Sequence, residues 1–109
     1  MAINIPKEDL LAYFTEKSSD PHAGIVIYSL ESPDGELQIY VDHQNDLIGL
    51  SLTTPVGTAI NVVLYNITSA PCKREDGTVK FYFYQGSRPD PIAEMMVDPS
   101  VYINVDVQS

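Results

Sequence analysis

The sequence predicts an α+β domain in which an N-terminal helix packs on a largely antiparallel sheet of about 5–7 strands, as a meander or a partly closed barrel. Apolar residues near the N-terminus follow a helical spacing, whereas apolar and polar residues alternate in short runs from about residue 24 to 107. Turn-forming residues separate these runs, which favours antiparallel neighbours. The 109 residues are 44% hydrophobic, so the chain has the length and apolar content of a single domain, 1–109.

The helix is predicted over residues 6–17. Pro6 suits the first helical position, and Glu8 and Asp9 follow it where the helix dipole favours negative charge. One apolar stripe along the helix is formed by Leu10, Leu11 and Phe14. Because an isolated helix of this length is marginal in water, we expect the stripe to dock on the sheet.

Four strands are predicted between residues 24 and 66. They are Gly24–Leu30, Glu36–Asp42, Leu47–Thr53 and Thr58–Asn66. A Ser-Pro-Asp-Gly turn at residues 32–35 joins the first two, which therefore form a β-hairpin. Short polar turns join the others, so each strand is expected to pair with the next along the chain.

The second half of the chain predicts two further strands and a less regular segment. Thr78–Tyr84 follows a turn signal at Arg74–Gly77, so residues 67–73 are expected to be extended and to pair with it. Pro71 weakens that pairing. Ile92–Met96 is predicted as a short helical turn, and Val101–Val107 as the last strand.

Strand alternation separates a core-facing set from an outward-facing set. The core-facing residues are Leu37, Ile39, Val41, Val79, Phe81, Phe83, Val101, Ile103, Val105 and Val107. The candidate interface residues on the opposite faces are Tyr40, Lys80, Tyr82, Tyr84 and Tyr102. Exposed tyrosines give a large contact area at low entropic cost, which favours a binding surface. The alternative is that cross-strand tyrosine pairs simply stabilise a solvated sheet face.

The chain is strongly acidic, and its charged residues are unevenly distributed. Fifteen acidic residues against six basic residues give a net charge of −9, which excludes direct binding to nucleic acid or to anionic membranes. Residues 18–72 contain six acids and no Lys or Arg, whereas residues 73–88 contain four of the six basic residues. One interpretation is that this separation of charge steers a partner protein or sets up contacts between copies of the chain. The alternative is that the charged residues simply lie in solvated turns.

No catalytic, cofactor-binding or metal-binding residues are predicted. Cys72 lies before Lys73 and Arg74, and neighbouring cations favour a thiolate, but no second cysteine or base completes a mechanism. Asp42, His43 and Asp46 surround one turn, where acidic side chains commonly hydrogen-bond the backbone instead of a cation. The sequence therefore predicts that the protein is not an enzyme and uses no cofactor.

The sequence favours a cytoplasmic location. No apolar run reaches the roughly 18 residues that span a bilayer, and no basic segment followed by an apolar stretch marks a secretory signal at the N-terminus. The single cysteine fits a reducing compartment.

Three functions remain open on the sequence. The first is a noncatalytic acidic domain that binds a protein partner or assembles with copies of itself through a tyrosine-bearing sheet face. The second is a small-ligand carrier or sensor with an apolar pocket lined by Phe81, Phe83, Met95 or Met96. The third is an acidic inhibitor or nucleic-acid mimic directed at a basic protein.

Overall fold

The computed structural model describes residues 3–33 and 35–105, and within these ranges the chain forms one helix and ten strands. The elements are α1 (Lys7–Tyr13), β1 (Thr15–Asp20), β2 (Ile25–Ser32), β3 (Gly35–Asp42), β4 (Leu47–Thr54), β5 (Gly57–Leu64), β6 (Ile67–Ser69), β7 (Cys72–Glu75), β8 (Thr78–Gln85), β9 (Ala93–Asp98) and β10 (Tyr102–Val105). The helix is short, so the protein is mainly antiparallel β and fits the predicted α+β class only loosely.

The first sheet is a five-stranded antiparallel meander in the order β1-β2-β3-β4-β5. The predicted hairpin is confirmed, with Ile25 opposite Asp42 and Leu30 opposite Leu37. The next turn is closed by the Asp42 carboxylate, which accepts hydrogen bonds from the backbone N–H groups of Gln44 and Asn45. Asp46 then adopts a positive φ of 52°, which lets the chain reverse within four residues.

The second sheet has the order β10-β9-β8-β6, and β7 also pairs with β8. Residues 67–73 are extended, as predicted, in the form of two short strands on β8. The predicted helical turn at residues 92–96 is wrong, because Ala93, Met95 and Val97 are buried in alternation and form β9. Pairing with β8 and β10 on both sides outweighs the helical preference of Ala, Glu and Met. Asp106 and Val107, the predicted end of the last strand, lie outside the described residues.

The helix ends earlier than predicted. Phe14 adopts an extended conformation, with φ −110° and ψ 155°, and residues 15–20 form β1 instead of the last helical turn. In β1, Thr15 lies opposite Ser29 and Asp20 opposite Ile25, so the sheet supplies the hydrogen bonds that the helix would have made. The apolar stripe is correspondingly narrower, because Leu11 is 47% exposed.

A single hydrophobic cluster holds the two sheets and the helix together. Leu10 and Phe14 are buried in it with the inner faces of both sheets. The Phe14 ring meets Phe81 edge-on, with centroids 6.4 Å apart and planes at 78°. The predicted core-facing residues are confirmed throughout the described strands, with Val105 partly buried. Because the inner faces share this core, the outer faces of the two sheets point to opposite sides of the molecule.

Neither sheet closes into a barrel. Asp9 on α1 forms an ion pair with Arg74 on β7, with 2.9 Å between Oδ1 and Nη2, and links the helix to the second sheet. In the described part of the chain, no helix is both long enough and apolar enough to cross a membrane.

Candidate functional site

The structure divides the five predicted interface residues between the two outer faces. Lys80, Tyr82 and Tyr84 project from β8 and Tyr102 from β10, all on the outer face of the second sheet. Tyr40 projects from β3 on the outer face of the first sheet. All five are partly buried. The single tyrosine surface expected from the alternation is therefore two surfaces on opposite sides of the molecule.

The charged groups on the outer face of the second sheet are paired within the molecule. Lys80 Nζ lies 3.5 Å from a Glu94 carboxylate oxygen and 5.7 Å from the centre of the Tyr102 ring. Contact with the Tyr102 side chain, together with the Glu94 charge, raises the pKa of Lys80. Lys73 Nζ lies 5.3 Å from the centre of the Tyr82 ring. These contacts stabilise the solvated sheet face and leave its cations partly neutralised.

Tyr84 lies apart from these pairs. It is opposite Ser69 on β6, and its backbone carbonyl accepts a hydrogen bond from the Thr68 hydroxyl at 3.4 Å. Asn104 on β10 extends the paired region instead, by donating from Nδ2 to Glu94 at 3.3 Å. The second-sheet surface is thus a network centred on Glu94.

The outer face of the first sheet carries an apolar depression, which we call the outer depression. Its volume is about 420 Å³, and it is lined by Ile27, Gln38, Tyr40, Leu47, Gly49, Leu50, Ser51, Asn61, Val63 and Tyr65. One row of cross-strand neighbours runs through its middle, from Ile27 on β2 through Tyr40 and Gly49 to Val63 on β5. The depression exists because the residue at the centre of this row, Gly49, has no side chain.

The position of Gly49 would accept a Cβ atom without a clash. A Cβ atom placed on Gly49 would have Tyr40 Cβ as its nearest neighbour at 3.5 Å, which is an ordinary van der Waals contact. Val63 is 48% exposed and Tyr65 is 63% exposed on the β5 side of the depression. Apolar side chains grouped on a solvent-facing sheet in this way are typical of interaction sites.

Acidic groups lie at both ends of the outer depression. At one end Glu31 lies directly opposite Glu36, and Glu36 accepts a hydrogen bond from the Ser29 hydroxyl at 2.8 Å. Like charges directly opposite each other destabilise a strand pair. Asp42 and Asp46 lie at the other end. Strands β2 to β5 contribute no Lys or Arg to offset these four acids. The sheet does carry Lys17 on β1, which lines a neighbouring depression together with Glu31.

The Asp42 carboxylate is held by its own turn. Asn45 donates to it from Nδ2 at 2.8 Å, and the Asn45 and Gln44 backbone N–H groups donate to its other oxygen. These hydrogen bonds, the Asn45 side chain foremost, lower the pKa of Asp42. The group is therefore a carboxylate at neutral pH. The residue is only 6% exposed, so it contributes negative potential to this end of the depression and not a freely accessible carboxylate.

Strand alternation predicts Tyr40 as a site residue but does not predict its neighbours Ile27, Gly49 and Val63. The sequence pattern that indicates them is in Gly24–Leu30, where apolar residues occur at both odd-numbered and even-numbered positions of the strand. Such a run indicates a strand that presents apolar groups to both faces. The missing step was the register, because only the alignment of four strands places these residues in one row.

The side chains best suited to acid–base, nucleophilic or metal-binding chemistry contact other parts of the fold. His43 Nδ1 accepts a hydrogen bond from the Ile3 backbone N–H at 3.1 Å and so fixes the N-terminal segment. Cys72 is partly buried, and burial together with the Asp9 charge raises the pKa of its thiol despite the opposing effect of Arg74. The thiolate-favouring effect of the basic neighbours is thus outweighed. The described residues contain no group of three or more His, Cys, Asp or Glu side chains arranged to hold a metal ion.

The apolar pocket considered from the sequence is not formed by the residues proposed for it. Phe81, Phe83 and Met95 are fully buried in the shared core, where they pack against other side chains. Met96 projects from the other side of β9, opposite Lys80 and Tyr102. These residues stabilise the fold and do not line a ligand cavity.

Comparison of the sequence with protein-family models gives no match, and comparison with curated proteins gives none. Among solved structures, the fold is similar to that of a chain in the contact-dependent growth inhibition toxin–immunity protein complex from Klebsiella pneumoniae 342. The TM-score is 0.79, over 95% of this chain and 96% of that chain, at 13% sequence identity. A likeness at this identity establishes a shared fold.

Proposed function

We propose that this protein is a noncatalytic inhibitor that binds a partner protein, acting as the immunity component of a toxin–immunity pair. The observation that carries the proposal is the fold likeness to a chain of such a complex, which extends over nearly the whole of both chains. The proposal unites two functions that the sequence left open, a protein-binding domain and an acidic inhibitor.

The side chains support the inhibitory component of a pair over the toxic one. The residues best suited to acid–base or nucleophilic chemistry are His43, Asp42 and Cys72. His43 accepts a backbone hydrogen bond, Asp42 closes a turn, and the pKa of the Cys72 thiol is raised. A catalytic group needs its reactive atom poised toward a substrate, and these three are engaged in the fold.

The charge supports a basic partner. A net charge of −9 attracts a cationic protein over distances of about 10 Å at 0.1 M salt and speeds the encounter. The same charge opposes docking of two copies through the outer depression, because each copy would bring its own acidic ends to the contact. The structure therefore favours a different protein over a second copy at this face.

The proposal is tested by growth rescue. Each open reading frame adjacent to this gene is expressed in a bacterial host, alone and together with this chain. We expect one product to arrest growth when expressed alone, to be tolerated when this chain is present, and to purify with it. The proposal is wrong if these products neither arrest growth nor bind the chain.

A further inference from the structure

We infer that the outer depression is the docking surface for the partner, and that its occupant is a basic segment with one apolar side chain seated over Gly49. This inference rests on the proposed function and specifies where and how the partner is recognised. It places the contact on the first sheet, whereas four of the five residues expected from the sequence lie on the second.

The centre of the depression selects an apolar side chain. Gly49 forms the floor, and Ile27, Tyr40 and Val63 form the walls of the row that crosses it. An aromatic or branched side chain entering from solvent would cover these groups and the exposed faces of Val63 and Tyr65. Apolar anchors that fill such a notch commonly supply most of the affinity of an interface.

The ends of the depression select cations. Glu36 and Asp42 are six residues apart on β3, a separation of about 20 Å in an extended strand. Glu31 lies opposite Glu36, and Asp46 lies in the turn that follows Asp42. The complementary segment therefore carries basic groups about 20 Å apart on either side of the apolar one. An extended stretch of about seven residues spans that distance.

On the outer face of the second sheet, the charged side chains are already paired with each other or with aromatic rings. Lys80 is paired with Glu94 and Tyr102, and Lys73 lies over Tyr82. A partner binding there would have to compete with these internal contacts. At the first sheet, a basic partner gains favourable contacts with Glu31 and Glu36, which lie directly opposite each other.

A defined peptide tests the inference without knowledge of the natural partner. The probe is Arg-Ser-Thr-Ser-Phe-Ser-Arg. Its arginines at positions 1 and 7 and its Phe at position 5 face the same side of an extended chain, with the spacing of Glu36, Asp42 and Tyr40 on β3. It is titrated into the isotopically labelled protein at low salt, and amide NMR shifts are recorded. We expect saturable shifts on β2, β3, β4 and β5. A peptide with Ser in place of Phe, and one with Glu in place of both Arg residues, should bind at least about tenfold more weakly.

Two matched variants test whether binding requires the space over Gly49 in the outer depression. Gly49→Leu fills the depression, and Asn104→Leu adds the same side chain to an exposed strand position on the opposite side. We expect Gly49→Leu to weaken peptide binding at least about tenfold and Asn104→Leu to leave it unchanged. If Gly49→Leu does not fold, Gly49→Ala places a methyl group in ordinary van der Waals contact with Tyr40, and weaker peptide binding than that of Asn104→Ala gives the same test.

The results separate this inference from the proposed function. Peptide shifts centred on Tyr82 and Tyr102, no shifts at millimolar peptide, or equal binding by the Gly49 and Asn104 variants would overturn the docking surface. Growth rescue by the unmodified chain would still support an inhibitor that binds elsewhere. Failure of rescue with normal peptide binding would overturn the inhibitor and leave the basic-segment site standing.

Discussion

Removing the ring of Phe14 should destabilise the protein strongly, because this side chain is buried in the core that the helix shares with the two sheets. Phe14 is 4% exposed, and its ring meets Phe81 edge-on. Replacing a buried Phe with Ala costs about 3–5 kcal/mol. Each kcal/mol lowers the Tm of a domain near this size by about 4–8 °C, so Phe14→Ala should melt at least about 12 °C below the parent.

Leu11 provides the control for this prediction. It lies on α1, three residues before Phe14, and is 47% exposed. Leu11→Ala should change the free energy of unfolding by about 1 kcal/mol or less. Thermal melts followed by circular dichroism compare the two variants. Equal melting of Phe14→Ala and the parent, or equal losses in the two variants, would refute the packing described for the helix.

The other predictions concern the thiol, the first turn and the second-sheet surface. Because the pKa of the Cys72 thiol is raised, its alkylation by iodoacetamide at neutral pH should be slower than that of a free cysteine, and rapid alkylation would contradict its burial. The variant Cys72→Ser should keep both the fold and growth rescue. The folded pKa of Asp42 is lowered, so its contribution to stability is present above the unfolded value of about 3.9 and is lost as pH falls through the folded pKa. The Tm of the parent should therefore exceed that of Asp42→Asn at neutral pH and converge with it in acid, whereas a constant gap would contradict this role. If Lys80, Tyr82, Tyr84 and Tyr102 mediate self-association, Tyr82→Ala should lower the mass measured by light scattering at low salt while the Tm changes by only a few degrees; an unchanged mass would refute that role.

The strands could be predicted from the sequence because their cause is local. Alternation in Leu37, Ile39 and Val41 fixes one buried face without reference to the rest of the chain. The end of the helix could not be predicted in this way. Residues 15–20 leave the helical conformation because β2 offers an edge to pair with, and the paired residues on that edge lie between five (Asp20↔Ile25) and fourteen (Thr15↔Ser29) positions further along the chain. The same holds for β9, whose residues favour a helix in isolation.

The candidate site was predictable only in part. Tyr40 follows from alternation alone, since its neighbours Ile39 and Val41 point into the core. The outer depression exists at Gly49 because glycine has no side chain. A sequence is searched for reactive side chains, so the absence of one is not noticed. The walls of the depression come from β2, β3 and β5, and the registers of these strands on one another decide that they surround it.

The charge distribution was predictable from the sequence, but its consequence was not. The absence of Lys and Arg from residues 18–72 is a property of the chain. Only the fold shows that four strands from this range share one sheet, so that acidic residues outnumber the one cation, Lys17 on β1, among its described strands. Only the fold shows that Lys80, in the basic part of the chain, is paired with Glu94.

The most direct test of the account measures the affinity of the partner from the rescue experiment for two charge-reversed variants. Glu31→Lys alters the acidic end of the outer depression, and Glu75→Lys makes the same change in net charge on β7 of the other sheet. Isothermal titration at about 50 mM salt should show a several-fold weaker affinity for Glu31→Lys than for Glu75→Lys, with the difference shrinking at about 0.5 M salt. Equal affinities for the two variants would show that the partner responds to total charge and does not dock on the first sheet.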